Sequence, residues 1–292
     1  MSNSVESSSS QNDEELRKCL KPNPSNDEVI QAIRETYKSS QVTIVKELES
    51  YDDRNYLVLV DGTKYLAKVY NGVESGKYIA SKDGQSSDDV DDGDGSSSSK
   101  ILSSIHLLSF IFQHLNQPKF NVTTSSPLPI PGMDNSPFVS LHVFPVTSQS
   151  HSPTKLALQL LTWVEGSTMS ASPTLPIETI ADAGRYLGKV CMALDDLTSS
   201  NEEASKAADR YHAWDGRNTL DLEKFVHCIK NEQRRDLVQS VLSAFKSDLV
   251  ESGDIPSFRK GILQGDFNDA NIILDETKNV AGVIDFGDTT LR

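Results

Sequence analysis

Close to its C-terminal end the chain reads Gln264-Gly265-Asp266-Phe267-Asn268-Asp269-Ala270-Asn271, followed by the apolar run Ile272 to Leu274, a turn, and a second apolar run that closes on Asp285-Phe286-Gly287-Asp288. Short apolar runs bounded by turn residues read as strands. Two of them this close in sequence predict a hairpin that presents acidic side chains from one edge.

Those residue types in that order suit phosphoryl transfer. The reaction needs a carboxylate to orient the attacking hydroxyl and take its proton, and an Asn and a second Asp to hold the magnesium that neutralises the phosphates. Asp266 is the candidate base, and Asn271 and Asp285 are the candidate metal ligands. The spacing D-x-x-x-x-N alone is weak, since about one copy arises by chance in a chain of this length. Joined by a hairpin to a strand-terminal D-F-G, it has few explanations besides an ordinary polar hairpin with a glycine turn.

Working outward, the first half is rich in strand signals. Gln41 to Leu48, Tyr56 to Val60 and Thr63 to Tyr70 are aliphatic, aromatic and β-branched, and Asp61-Gly62 is a two-residue hairpin turn between the last two. Phe138 to Val146 and Lys155 to Val164 predict two more strands. Before them Ser25 and Glu28 form a capping box for a short helix with Val29, Ile30, Ile33 and Tyr37 on its apolar face. Ile101 to Leu115 is apolar and long enough for another helix. From Ile177 the period becomes helical, with Ile180, Ala183, Leu187, Val190 and Leu194 on one face, and Leu237, Val241, Phe245 and Leu249 mark a later helix. A strand-rich half followed by a helical half predicts an α+β fold of two lobes, crossing over near Thr162 to Gly166. The expected organisation is a disordered tail over 1–24, a first lobe over 25–162 with a disordered Ser/Gly/Asp insertion at about 72–100, and part of a second lobe over 163–292.

Lys68, in Tyr65-Leu66-Ala67-Lys68-Val69, falls in the third strand, where kinases keep the lysine that meets the α and β phosphates. A strand lysine by itself is more commonly a solvated edge residue; the distal acids favour the phosphate role. There is no G-x-x-x-x-G-K-[ST], which excludes a P-loop enzyme. No Gly-rich loop precedes the second strand, and Ser50-Tyr51-Asp52-Asp53-Arg54-Asn55 takes its place. Lys68 and Asn55 are the nucleotide-binding candidates.

Composition narrows the remaining classes. Net charge is −14, but Asp83, Asp88, Asp89, Asp91, Asp92 and Asp94 lie in one low-complexity tract, so the folded part is only moderately acidic. Such a surface repels phosphate backbones, which argues against nucleic acid as a partner. No apolar run reaches the roughly 18 residues of a membrane helix and the N-terminus has no apolar signal core, so no membrane partner and a cytoplasmic location are expected. Cys19, Cys191 and Cys228 are odd in number and widely spaced, which suggests neither a disulfide frame nor a zinc site. Nothing in the sequence sets the oligomeric state.

Ser50 to Asn55, Leu66 to Val69, Leu161-Thr162-Trp163, Gly265 to Asp269 and Ile284 to Asp288 together resemble the aminoglycoside phosphotransferase-like family, over about Ile30 to Arg292 without the insertion. The resemblance implies a two-lobed protein-kinase-like fold, Mg²⁺, and transfer of the terminal phosphate of GTP (or ATP) to the hydroxyl of 5-hydroxy-L-lysine. It carries Asp266 over as catalytic base, Asn271 and Asp285 as metal ligands, and Lys68 as the phosphate lysine. A choline, homoserine or aminoglycoside kinase is the alternative within the class, and a non-catalytic nucleotide-binding or interaction protein is the alternative outside it. Three departures from the pattern bear on these alternatives. Gln264 stands where the family usually has His. Ile101 to Leu115 offers only His106, Gln113 and His114 to brace Lys68, with Glu74 a candidate from outside that stretch. The chain stops seven residues after Asp285, short of the family's closing helices, so an apolar face of the second lobe is expected to be exposed. Around Trp214, Asp215 could receive a substrate ammonium and Arg217 a carboxylate, or the two could simply cap a helix.

Overall fold

The structure is a computed structural model that describes residues 15–83, 103–132, 138–148, 152–212, 215–253 and 255–292. Helix α1 (Asn26–Tyr37) starts at the capping box: Ser25 Oγ accepts from the Glu28 amide, and the Glu28 carboxylate accepts from the Ser25 amide. It packs on one face of an antiparallel sheet of five strands in the order β1-β2-β3-β5-β4: β1 (Val42–Leu48), β2 (Arg54–Val60), β3 (Thr63–Val69), β4 (Ser140–Phe144) and β5 (Thr154–Thr162). Val29, Ile33, Tyr56, Val58, Ala67, Leu158 and Leu160 form the core between them.

The other face of the sheet carries α2 (Gly72–Asp83) and α3 (Ser104–Leu115), and α3 also packs on the helical lobe. One core thus runs from Ile105, Leu107 and Ile111 to Val190 and Leu194 of α4 (Ile177–Ser200), to Ala204 and Ala207 of α5 (Glu202–Ala208), and to Phe286. Two lobes that share a core bury more apolar area than either would alone, and that burial is the main force holding them together.

After β5 the chain crosses at Thr162 to Gly166 into a small sheet, β6 (Ser167–Thr168), β8 (Ile272–Leu274) and β9 (Val280–Val283). Gly166 has φ +136°, and a Cβ there would lie 2.3 Å from the Leu274 carbonyl oxygen, so the crossover admits only glycine. The predicted hairpin is β8 and β9, with Ile272 opposite Val283. Beneath it β7 (Ile262–Leu263) pairs with β10 (Thr290–Leu291).

Three expectations need correction. Residues 15–24 are not a loose tail: residues 15–19 are helical, Pro22 bridges Val146, and Leu20 joins the first core. Ordering this polar stretch is offset by ion pairs and backbone hydrogen bonds together with the partial burial of Leu20. The insertion also begins later than expected, since Gly72–Asp83 is helix α2. Its serines are buried because each is satisfied: Ser75 Oγ donates to the Tyr70 carbonyl and accepts from the Ala157 amide, and Ser81 Oγ donates to the Tyr78 carbonyl. The rest of the expected insertion, and residues 1–14, lie outside the described residues. Finally, in α4 Ile180 is half exposed and the buried stripe is Thr179, Ala183, Tyr186, Val190, Ala193 and Leu194.

Leu237 and Val241 of α6 (Glu232–Phe245) are 65% and 58% exposed, so the apolar face predicted there is uncovered. No described helix is long and apolar enough to cross a membrane.

Candidate active site

Loops following β7 and β9 carry the acids. At Gly265 φ is +88° and a Cβ would meet the Asp288 carbonyl oxygen at 2.4 Å, so the glycine lets the two loops pass in contact. Asp266 has both carboxylate oxygens fixed: Asn268 Nδ2 donates to Oδ1 at 2.7 Å and Asn271 Nδ2 to Oδ2 at 2.8 Å. Asn271 is buried, and the same Nδ2 also donates to the Asp266 carbonyl at 2.9 Å.

Gln264 joins the two loops. Its Oε1 accepts from the Asp266 amide at 2.8 Å and its Nε2 donates to the Asp285 carbonyl at 2.6 Å, with the side chain 4% exposed as part of the residue. A neutral amide with one donor and one acceptor thus does the positioning work, and no titration is required of it.

Asp285 is exposed at φ +58°, a left-handed turn that sends Phe286 inward while the carboxylate stays outside. Phe286 is 1% exposed and meets Phe112 of α3 edge to face, with centroids 5.9 Å apart. The Gly287 amide donates to Asp285 Oδ1 at 3.0 Å. Arg210 holds the loop from behind, donating to the carbonyls of Gly287 at 2.8 Å and Thr289 at 3.1 Å. Burial, then the nearby Asp266 and Asp285, push the Asp288 carboxyl up from its ordinary range. His212 approaches Asp288 at 3.4 Å, but burial and then Arg210, Arg292 and Arg17 bring the imidazole down to about 4, so the contact is no ion pair at neutral pH.

In the first lobe, Lys68 Nζ pairs with Asp53 Oδ2 at 2.6 Å and lies 5.2 Å from the centre of the Tyr70 ring. Burial alone would lower the ammonium pKa, but Asp53, then Tyr70 and Asp285, more than offset that, and it is raised. Of the groups that raise it, Asp285 is the one from the other lobe. Glu47 and Leu48 at the end of β1 and Glu49, Ser50 and Tyr51 of the following loop line an open cleft of about 760 Å³ together with Asp285.

The brace for Lys68 is therefore Asp53, and none of the residues considered from the sequence supplies it. His106 Nδ1 pairs with Ser103 Oγ, His114 with Asp196, and Glu74 with Arg17 and Ser104. Asn55 stands opposite Lys68 in β2, and Gln159 stands opposite it in β5. Asn55 Oδ1 and Gln159 Nε2 are buried without hydrogen-bond partners among the described residues, while Gln159 Oε1 accepts from Tyr70 at 2.7 Å. Both unsatisfied atoms belong to the residues that flank Lys68 in the sheet, an uncommon arrangement for buried polar groups. Gln159 was legible as the one polar residue in Leu156 to Leu161. Asp215 and Arg217 pair with each other at 2.7 Å, and Asp215 caps the following turn by accepting from the Arg217 amide, while Trp214 lies outside the described residues.

The profile of the phosphotransferase enzyme family matches residues 139–292, more than half of the chain. The chain belongs to that family. The match includes Asp266, Asn271 and Asp285, whereas Asp53, Asn55 and Lys68 lie before it. Among individual relatives, hydroxylysine kinase of Bos taurus is 26% identical over 265 residues, covering 88% of this chain and 63% of its own length. Hydroxylysine kinase of Danio rerio is 23% identical over 274 residues, covering 92% and 66%. The chain thus spans slightly under two thirds of these relatives' length.

Solved structures of the family share the fold. The GDP complex of aminoglycoside 2'-phosphotransferase-IIIa superposes with a TM-score of 0.54 at 13% identity, covering 92% of this chain and 74% of the other. A thermostable mutant of an aminoglycoside phosphotransferase in apo form gives 0.50 at 13%, covering 90% and 72%. The architecture is the two-lobed, protein-kinase-like α+β fold expected from the sequence.

Proposed function

We propose that this phosphotransferase-family chain transfers the terminal phosphate of GTP (or ATP) to the hydroxyl of 5-hydroxy-L-lysine, in the cytosol. What supports the reading is that Asp285 lines a cleft together with Ser50 and Tyr51 of the first lobe and helps raise the pKa of Lys68, while Gln264 ties Asp266 to Asp285. The acceptor rests on the relatives named hydroxylysine kinase.

In this reading Lys68, released from Asp53 or shared with it, holds the phosphates, and Asn55 turns its amide to the nucleotide. Asp266 is fixed by two amide donors and orients the acceptor hydroxyl and takes its proton, so that transfer is direct and forms no covalent enzyme intermediate. With Nδ2 of Asn271 committed to Asp266, its Oδ1 and the Asp285 carboxylate would hold Mg²⁺. Among the described residues no group of three His, Cys, Asp or Glu could hold a metal. Two oxygen donors completed by phosphate and water are the kind of set magnesium takes. When bound, the ion neutralises charge on the transferring phosphate.

The deciding experiment incubates the protein with labelled GTP or ATP, Mg²⁺ and a panel of 5-hydroxylysine, choline, homoserine and an aminoglycoside. Label on hydroxylysine supports the reading. Label on another acceptor replaces the substrate, and nucleotide binding without transfer to any acceptor replaces the enzyme with a nucleotide-binding protein.

A further inference from the structure

The segment before α1 crosses the back of the loop that faces the cleft, and it is bonded to that loop at several points. Lys21 Nζ donates to the carbonyls of Ser50 at 2.9 Å and Tyr51 at 2.8 Å. Arg17 donates to Asp52 Oδ2 at 2.8 Å and to Glu74. Arg54 Nε donates to the Pro22 carbonyl at 3.1 Å. Further bonds fasten the segment itself to the lobe: the Gly72 amide to the Leu20 carbonyl at 3.0 Å, Asn71 Nδ2 to the Arg17 carbonyl at 2.7 Å, and the Thr147 amide to the Lys21 carbonyl at 2.9 Å.

The electrostatics of the loop show why it needs these contacts. Asp52 and Asp53 are adjacent and both mostly covered; burial, then Asp53, push the Asp52 carboxyl up, and Arg17 opposes them. Glu74 brings a third buried carboxylate to Arg17. Cations separate these three acids: Arg17 takes Asp52 and Glu74, Lys77 also approaches Glu74 at 3.5 Å, and Lys68 takes Asp53. The result is a Glu74–Arg17–Asp52 triad set beside an Asp53–Lys68 pair. In a protein interior such an arrangement holds only while each charge keeps its partner.

We infer that residues 15–24 are a strap that sets the nucleotide-facing loop and, through Asp53, the phosphate lysine, with Arg17 and Lys21 as its positioning residues. The brace that kinases take from a helix Glu is here delivered by a loop and held from the N-terminal side. The inference rests on the cleft binding nucleotide, and its test separates the two.

A fluorescent GTP analogue with Mg²⁺ is titrated into the wild-type chain and into Arg17→Ala, Lys21→Met and Lys68→Met, and amide hydrogen exchange is followed over residues 49–54. Arg17→Ala is expected to raise the nucleotide Kd about tenfold, the equivalent of ~1.4 kcal/mol. Transfer at saturating nucleotide should stay near wild type, and exchange over 49–54 should quicken. Lys21→Met keeps the aliphatic stem and every acidic partner, so it folds even if Arg17→Ala does not, and about a threefold rise is expected from losing its two bonds to carbonyls. Wild-type Kd in both strap variants, while Lys68→Met has lost nucleotide, overturns the strap. Faster exchange with unchanged Kd overturns it as well, because the loop is then held to no effect on nucleotide. If the wild-type chain binds no nucleotide, the proposed function fails, and unchanged exchange over 49–54 in both variants would dispose of the strap independently.

Discussion

On the helical side of the cleft, Asp266, Asn271 and Asp285 come from one stretch of chain, residues 264–288, and their fixing hydrogen bonds are almost all made within it. On the sheet side, Lys68 depends on Asp53, Asp53 accepts from the Asn71 amide, and the neighbouring Asp52 depends on Arg17, so segments dozens of residues apart must first assemble. A site made of neighbours in sequence is preorganised by local turns and one hairpin. A site made of distant charges is only as firm as the segments that bring them together, and that difference predicts different responses to mutation.

The contrast is sharpest in function. Asp266→Asn should cut phosphate transfer about 10²–10⁴-fold, the usual share of a general base, and leave nucleotide Kd and melting temperature nearly unchanged. Lys68→Met should instead raise nucleotide Kd by roughly tenfold to a hundredfold, the range of a charge-assisted hydrogen bond. Rate and binding measurements on the two variants break the comparison if Asp266→Asn loses nucleotide as severely as Lys68→Met.

A smaller effect probes the link on the helical side. Gln264→Ala would leave the Asp266 amide and the Asp285 carbonyl without their partner in a buried place, costing about 1–3 kcal/mol in unfolding and lowering transfer. Denaturant unfolding with an unchanged midpoint would show that the two loops hold themselves.

The effect specific to the sheet side, read as a difference between two acid-unfolding curves, concerns Glu74. Burial opposes its ionisation, yet Lys77, Arg17 and the Ser104 hydroxyl bring it down from 4.5 to about 2. A carboxylate depressed in the fold contributes stability that is complete above the unfolded value and lost as pH falls, here between about 4.5 and 2. The full contribution is on the order of 3 kcal/mol. Wild type should therefore lose more stability than Glu74→Gln as unfolding is followed from pH 5 down to pH 3, with Asp52, pushed the other way, present in both. Parallel curves would remove Glu74 from the account.

Much of the fold was legible because its signals are local. The strands of the first sheet, the Asp61-Gly62 turn, the capping box of α1 and the β8–β9 hairpin each follow from residues within a few positions of one another. For the candidate site, residue type and spacing named Asp266, Asn271 and Asp285, and strand position named Lys68, and the roles proposed for them start from that pattern. Gln264 looked like a departure from the family pattern, and only its two hydrogen bonds show what an amide does there. Helix α2 was hidden because a Ser/Gly-rich stretch has the composition of a linker, and its serines are buried through bonds to carbonyls and amides elsewhere in the chain.

By itself the sequence determined a strand-rich lobe, a helical lobe and a hairpin bearing two acids and an amide, since periodicity and turn chemistry act between near neighbours. Only the tertiary structure decided that Asp53 braces Lys68, that residues 15–24 are bound to the lobe, and that Gln159 and Asn55 flank the lysine. Those outcomes depend on buried charges and polar atoms finding partners far along the chain, and the energy of such a pairing exists only once the remote segments are side by side.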